Sequence, residues 1–483
     1  MAGIGFELKK LFAKKGILLQ LRANAYTSMV VAGPMLLGAI FLLGTRYVAE
    51  FGNATIHQQD LIVVIITYSL LFSLLLTSTL LYVLTRFVAD MMYIKEYGRI
   101  LPSMYGAISL FLVVGSVLWG IFLAFSGIQF SYAVYSFILF CEGIVAWVQI
   151  GYISALKEYK GILIGFSVSI FSGLAFGYIF ILLNFEVVSS LLLGACIAYG
   201  ILVVAFTIEI HQFFPMGSGS SLRFLEWIDK YPHLPFIGFF STFGLFIHLM
   251  LMWFSPLGVQ VEGLFYHAPR HDIPALLAFT TSLVSAVNFV ATVEVNFYPK
   301  YKLYFNLLNG EGSLSNIETA YNDMIDVLKR EIFYLAIQQV FFTLLAITLL
   351  GEFLIHLNLG FTLGMQEMFR VLCVGYGIYA IGNVLILFLL YFSDNQDALW
   401  SSALFCISNV LITWYTIKTS QTLYGFGFVL AAVVLYIVSL RSLYLYTDKL
   451  DYHTFTKQPV FFVQKRSFFT RIANQLDLIE VKK

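Results

Sequence analysis

Apolar runs of twenty residues or more, nearly free of charge, recur from residue 25 to residue 446. Each is long enough to cross the hydrocarbon of a bilayer as a helix, which takes about 20 mostly apolar residues. With no water at that depth to satisfy the backbone, only helices and closed barrels can span. A barrel would show ~10-residue segments of strict alternation. The runs here are continuous, so the chain reads as an all-α polytopic membrane protein. Composition agrees: 60% of the 483 residues are hydrophobic and only 11% are charged, against about 25% charged in a soluble domain. The mean hydropathy is +0.86.

About twelve spans are expected, near 25–47, 61–86, 102–125, 131–155, 161–183, 187–210, 235–255, 273–298, 332–358, 366–391, 398–418 and 422–446. With the N-terminus set in the cytoplasm, 24 of the 28 lysines and arginines fall in cytoplasmic loops and tails. Arg46, Arg270, Arg370 and Lys418 fall on the other side. That asymmetry is a positive-inside signal, and it is expected to place both termini in the cytoplasm. Met1 to Leu21 is interrupted by lysines and reads as no cleavable signal peptide.

The Gly/Ser/Pro-rich stretch from Phe214 to Ser221 divides the spans into six and six. The expected organisation is therefore an amphipathic N-terminal helix at 1–24, an N-lobe at 25–214 and a linker at 215–234. A C-lobe at 235–446 and a basic amphipathic tail at 447–483 complete it. Tyr68-Ser69-Leu70 in span two is weakly echoed by Thr281-Ser282-Leu283 in span eight. Two six-helix lobes around a central cavity are the expected architecture, as in transporters built from repeats.

Polar residues inside a span must face protein or an aqueous cavity. Several share a helix face. They are Ser69, Ser73 and Thr77 in span two, and Tyr135, Glu142 and Gln149 in span four. Span eight carries Thr281, Ser285, Asn288, Thr292 and Asn296. Span ten carries Tyr376, Tyr379 and Asn383, and span eleven Ser402, Asn409, Thr413 and Thr416. Two readings stand open: a path that solvates hydroxyl-rich cargo, with tyrosines stacking on sugar rings, or hydrogen bonding between helices. Glu142, near the middle of span four, is the sharpest residue, because a carboxylate at that depth costs roughly 2.5–3.5 kcal/mol on insertion scales. It either binds a coupling proton or cation, or packs as a protonated, hydrogen-bonded acid. Glu294 is a weaker candidate of the same kind, and His248 reads as a satisfied hydrogen-bonding residue. Arg46 and Arg370 either snorkel or meet an anionic group. Gly161, Gly165, Gly173 and Gly177 in span five form small-xxx-small pairs for close helix packing.

Three amphipathic segments are expected on the cytoplasmic surface: 4–15, the helix at 315–330, and the tail around Phe468 to Ile479. In the second, Ser315 and Glu318 have capping-box spacing, and Ile317, Met324 and Leu328 form an apolar stripe. Each segment rests on lipid or docks a partner. Net charge is +1, which excludes a strongly basic nucleic-acid footprint. Cys141, Cys196, Cys373 and Cys406 lie in apolar runs and read as packing residues, without disulfides or metal. No phosphate-binding loop, metal cluster or nucleophile–His–acid set is legible, so neither an enzyme nor a cofactor is expected.

The opening Met1-Ala2-Gly3-Ile4-Gly5-Phe6-Glu7-Leu8-Lys9-Lys10-Leu11, with Ala32-Gly33-Pro34 in span one, resembles the start of PelG-type proteins. These are inner-membrane transporters of the Pel exopolysaccharide system, in the multidrug/oligosaccharidyl-lipid/polysaccharide flippase superfamily. The resemblance implies two six-helix lobes and export of a polymer rich in N-acetylgalactosamine for a biofilm matrix. It also implies partners: a cytoplasmic PelF-like glycosyltransferase and membrane proteins like PelD and PelE. It transfers no catalytic motif. Two other readings remain beside it: an ion-coupled flippase of lipid-linked oligosaccharide or drug exporter, and a non-transporting scaffold for a glycosyltransferase.

Overall fold

The computed structural model describes residues 36–156, 159–215, 217, 220–310, 312–356, 361–456 and 467–480. The expected N-terminal amphipathic helix lies outside them. Eleven of the described helices are long and apolar enough to cross a membrane, and a further helix, α1, covers 36–51. The class is the expected one, all-α and polytopic. The described residues fall into two compact units, 36–269 with 467–480, and 270–456.

In the first unit α1 is followed by α2 (Ile56–Tyr93), α3 (Ile100–Ser126), α4 (Phe130–Leu156), α5 (Tyr159–Leu182) and α6 (Val187–Phe213). A short α7 (Glu226–Lys230) precedes α8 (Leu234–Trp253). Thr55 starts α2 through a capping box with Gln58, which satisfies backbone donors at the helix entrance. Gly127, at φ 77°, ends α3 in the left-handed conformation that only glycine takes without strain. The four glycines of α5 all turn to α6. A Cβ on Gly173 would stand 2.7 Å from the Gly194 carbonyl oxygen, and one on Gly165 3.0 Å from the Phe206 ring. Without side chains there the two backbones close up, which is how membrane helices gain packing energy.

The sequence did not announce a small hairpin, β1 (Val259–Glu262) with β2 (Phe265–His267), antiparallel and irregular between Gln260 and Glu262. It is pinned to the spans beside it. The Tyr68 hydroxyl donates to the Tyr266 carbonyl at 2.9 Å and accepts its N–H at 3.1 Å. Leu264 N–H donates to the Ser126 carbonyl at 2.8 Å. Beneath the strands Tyr68 stacks on Trp253, with ring centroids 4.6 Å apart. α8 lies so close to α2 that a Cβ on Gly238 would meet the Ser78 carbonyl at 2.2 Å. These contacts tie span seven to the first six spans. The division between the units therefore falls after Pro269, one span later than the 215–234 linker.

The second unit holds α9 (Pro269–Thr280), α10 (Leu283–Ala291), α11 (Tyr298–Asn309), α12 (Leu314–Leu345) and α13 (Gly351–His356). After these come α14 (Leu363–Tyr391), α15 (Asn395–Thr419), α16 (Phe426–Asp448) and α17 (Leu450–Thr456). The expected continuous span 273–298 is broken. Thr281 and Ser282 turn both hydroxyls and backbone N–H groups to the carbonyls three residues back, at 2.7–3.0 Å. A π-helical turn follows at Thr292–Phe297. Side-chain hydroxyls that compete for helix carbonyls loosen the α-helical ladder in this way. The segment 315–330 is likewise no separate helix, since α12, a π turn and α13 form one 43-residue run. Its N-cap is Ser313, which accepts from Asn316 N–H at 3.3 Å, and the expected cap Ser315 already lies inside the helix.

Candidate functional site

In the first unit the seven-residue spacing of Tyr135, Glu142 and Gln149 puts all three on the face of α4 that meets α6. Gln149 is buried, and its amide donates to the Thr207 hydroxyl at 2.8 Å and the Val203 carbonyl at 3.3 Å. The Cys196 thiol reaches the Tyr135 carbonyl at 3.5 Å. Between them Glu142 points at Gly200: a Cβ there would lie 3.2 Å from Oε1. Glu142 Oε2 is shielded from solvent and has no hydrogen-bond partner among the described residues. The stripe is thus a polar seam between two helices with one uncommitted carboxylate oxygen at its centre. A buried group left in that condition is costly unless it takes a proton or a cation.

The opposite face of α4 uses up the span-two stripe. Ser69 and Ser136 hydroxyls meet at 2.8 Å, and the Trp147 indole donates to Ser73 at 3.1 Å. Thr77 bonds back to the Ser73 carbonyl at 2.9 Å. Ser69 and Ser73 hold α2 to α4, and Thr77 is satisfied within α2. The two arginines at span ends have carboxylate neighbours: Arg46 lies 3.7 Å from Asp60, and Arg370 2.9 Å from Glu352. His248 is buried in α8.

In the second unit Ser285 donates to Gln339 Oε1 at 2.7 Å, while the Gln339 amide donates to Thr343 at 3.1 Å and to the Thr281 carbonyl at 3.2 Å. Gln339 is the hub, and the sequence reading passed over it. The available signal was an amide pair, Gln338-Gln339, inside an otherwise apolar run. Asn409 accepts from Thr413 at 2.8 Å, and Ser402 and Thr416 bond back to carbonyls of their own helix. Tyr376 and Tyr379 are buried in an aromatic cluster, Tyr376 packing on Phe428 at 4.6 Å and Phe279 at 5.3 Å. Asn288 and Asn383 are half-buried. The side chains of Thr292 and Glu294 lie outside the described residues. The structure therefore gathers Ser285 into one network and Tyr376 with Tyr379 into another, and leaves Asn409 at the α15–α16 contact.

The docking stripe on α12 turns inward. Met324 and Leu328 are buried within their own unit, and Ile317 is half-buried. The cause is the neighbourhood of α12: Tyr321 donates to the Thr447 carbonyl at 2.7 Å, and buried Tyr304 of α11 donates to Asp451 of α17. That stripe is packing surface, which corrects the expectation of a free docking helix there.

The tail is held differently. Residues 468–480 form α18 (Phe468–Glu480), seated on the first unit. Asp229 caps it from outside, accepting the Thr470 N–H at 2.7 Å and the Thr470 hydroxyl at 2.8 Å. Burial pushes the Asp229 carboxyl up, but hydrogen bonds from Thr470, Ser467 and Phe469 outweigh it and hold it below its ordinary value.

Residues 1–455 match the model of the PelG family, "Putative exopolysaccharide Exporter (EPS-E)". The chain belongs to the PelG family. No curated protein matches it. Among solved structures, this PelG-family chain is similar to an outward-facing multidrug resistance MATE family transporter of the MOP superfamily. The identity is 15% and the TM-score 0.57, over 88% of this chain and 96% of that one. A MATE in the straight conformation matches with TM-score 0.57 at 13% identity, over 89% and 96%. At such identities the likeness shows the fold alone. Family and fold are those of a multi-pass membrane transporter rather than an enzyme.

Proposed function

We propose that the chain exports nascent exopolysaccharide across the bacterial inner membrane. In this reading the polymer is Pel-like, rich in N-acetylgalactosamine, and destined for a biofilm matrix. The observation that carries it is the family match over 1–455; the MATE-type fold supports transport in general. A cytoplasmic PelF-like glycosyltransferase would supply the polymer, with PelD-like and PelE-like membrane partners beside it. Both termini then face the cytoplasm, a placement that the lysine and arginine asymmetry supports. In this reading the half-buried amides of Asn288 and Asn383 meet cargo. Deleting the chain in a producing cell should abolish secreted polymer while its glycosyltransferase still works in lysates. Unchanged secretion would end the proposal.

A second reading, ion-coupled export, is favoured by Glu142. Its uncommitted Oε2 on a polar seam suits a site that takes and releases a proton or cation. Collapse of the transmembrane ion gradient would then stop export without depleting polymer precursor. Export that persists after collapse would leave polymer synthesis as the driving force.

A further inference from the structure

The polar seam between α4 and α6 continues past Gln149 to the surface. On α6, Gly200, Val203, Thr207 and His211 follow at steps of three and four, so they share one face of the helix. Glu142 and Gln149 of α4 meet that face at Gly200 and at Thr207. His211 stands one turn beyond Thr207, in the last turn of α6. Its Nε2 lies 2.6 Å from the hydroxyl of Tyr105, which sits in the second turn of α3 and is 47% exposed. From Gly200 to His211 the face runs about 16 Å along the helix axis. One stripe thus leads from a carboxyl group deep in α4 to a half-buried histidine at a helix end.

Two acceptors in this seam have no donor among the described residues, Glu142 Oε2 and Gln149 Oε1. Gln149 is 1% exposed. The Val203 carbonyl can only accept, so the amide nitrogen must be the end that faces it, and Oε1 is the unpartnered end. Thr207 holds that orientation, since its own hydroxyl proton goes to Val203 at 2.7 Å. The two acceptors sit seven residues apart on α4, about 10 Å along its axis. Neither can satisfy the other, and the residue of that face between them is only Ala146. Buried acceptors without protein donors are where proteins hold water. Glu142 also lacks a countercharge. The groups that feel its charge are the Cys141 and Cys196 thiols and the Tyr199 hydroxyl. A hard cation takes six or more oxygens, and among the described residues no three acidic, histidine or cysteine side chains gather to hold a metal ion. A proton needs one oxygen, and it removes the charge that is costly at this depth.

We propose that the α4–α6 seam is a proton relay: Glu142 binds the proton, Gln149 positions the water that carries it, and His211 exchanges it with the surface beside Tyr105. One transfer turns a neutral Glu142 and a neutral His211 into a carboxylate and an imidazolium. The water between them ends with the protons it began with. Gln149 and Thr207 are positioning residues and take no proton themselves. The relay rests on the ion-coupled reading and gives that reading its ion.

The test uses infrared difference spectra of the full-length protein in nanodiscs, titrated with alkali. The parent should show the C=O stretch of a protonated carboxyl at neutral pH that Glu142→Gln lacks. That band should vanish reversibly as pH rises and be the same in sodium and choline chloride. After a pH jump, Gln149→Met and His211→Leu should each slow its loss at least tenfold, and Phe333→Trp, on an exposed face of α12, should not. His211→Leu alters a half-buried helix end, so it carries the kinetic test even where Gln149→Met misfolds. An ionised Glu142 at neutral pH, or a band that sodium removes at fixed pH, overturns the proton site. A band that persists at every pH makes Glu142 a packing acid and overturns it too. Parent rates in both variants overturn the route. Polymer export that survives collapse of the proton gradient would instead end the ion-coupled reading, with the spectra unchanged, so the two failures are told apart.

Discussion

Glu142 on α4 faces Gly200 on α6, where a Cβ would stand 3.2 Å from the carboxylate oxygen Oε1. The absence of a side chain at 200 is what leaves room for the carboxyl group inside the seam. Glu142→Gln keeps that volume and removes the charge. The variant should insert and melt within about 1 kcal/mol of the parent, as isosteric changes do. If the carboxylate couples export to an ion gradient, gradient-driven export by the variant in proteoliposomes should fall at least tenfold. Undiminished export would make Glu142 a packing residue.

Asp229 holds α18 by its first-turn N–H groups. Losing such a cap costs about 1 kcal/mol, so Asp229→Ala should raise hydrogen exchange across 468–480 and leave α2 and α3 protected. The folded carboxyl sits below its ordinary value, so the stabilisation is full above about pH 4. It is lost as pH falls through the folded value. Exchange in α18 should therefore rise below pH 4 in the parent and show no such step in Asp229→Ala.

A Cβ on Gly173 would come within 2.5 Å of the Ala198 Cβ and 2.7 Å of the Gly194 carbonyl. Gly173→Val should force α5 from α6 and cost about 1–3 kcal/mol, in the range of overpacked interiors. The melting temperature of the purified protein in detergent should drop by several degrees. Gly38→Val, at a position with open space around it, should not.

Tyr68→Phe removes both hydrogen bonds to Tyr266 while keeping the ring on Trp253. The hairpin 259–267 should gain backbone exchange, and global stability should fall by about 1 kcal/mol. Unchanged exchange would mean that aromatic packing alone holds the strands.

The helical class and the placement of most spans were legible because hydrocarbon demands long apolar runs. The glycine face of span five was legible too, because only missing side chains permit that approach. What the sequence hid is tertiary. Periodicity put Ser285 on a stripe but could not say that Gln339 would answer it from another span. It put Met324 and Leu328 on an apolar face without showing that α11 and the end of α16 already pack on that helix. The break at Thr281–Ser282 was hidden because those hydroxyls turn to their own carbonyls, a choice that hydropathy does not record. The hairpin was missed because 259–267 is too short and mixed to stand out, and its stability comes from Tyr68 nearly two hundred residues away.

The proposal that this chain exports polysaccharide, with half-buried polar residues along the way, carries the most weight. It is tested most directly by measuring secreted polysaccharide from cells carrying Glu142→Leu, Asn288→Leu and Asn383→Leu, one at a time. Membrane levels and glycosyltransferase pull-down are checked in the same cells. The account predicts that secretion falls at least fivefold in one or more variants while insertion and partner retention hold. Full secretion from all three would contradict it and leave the polar stripes as packing in a scaffold.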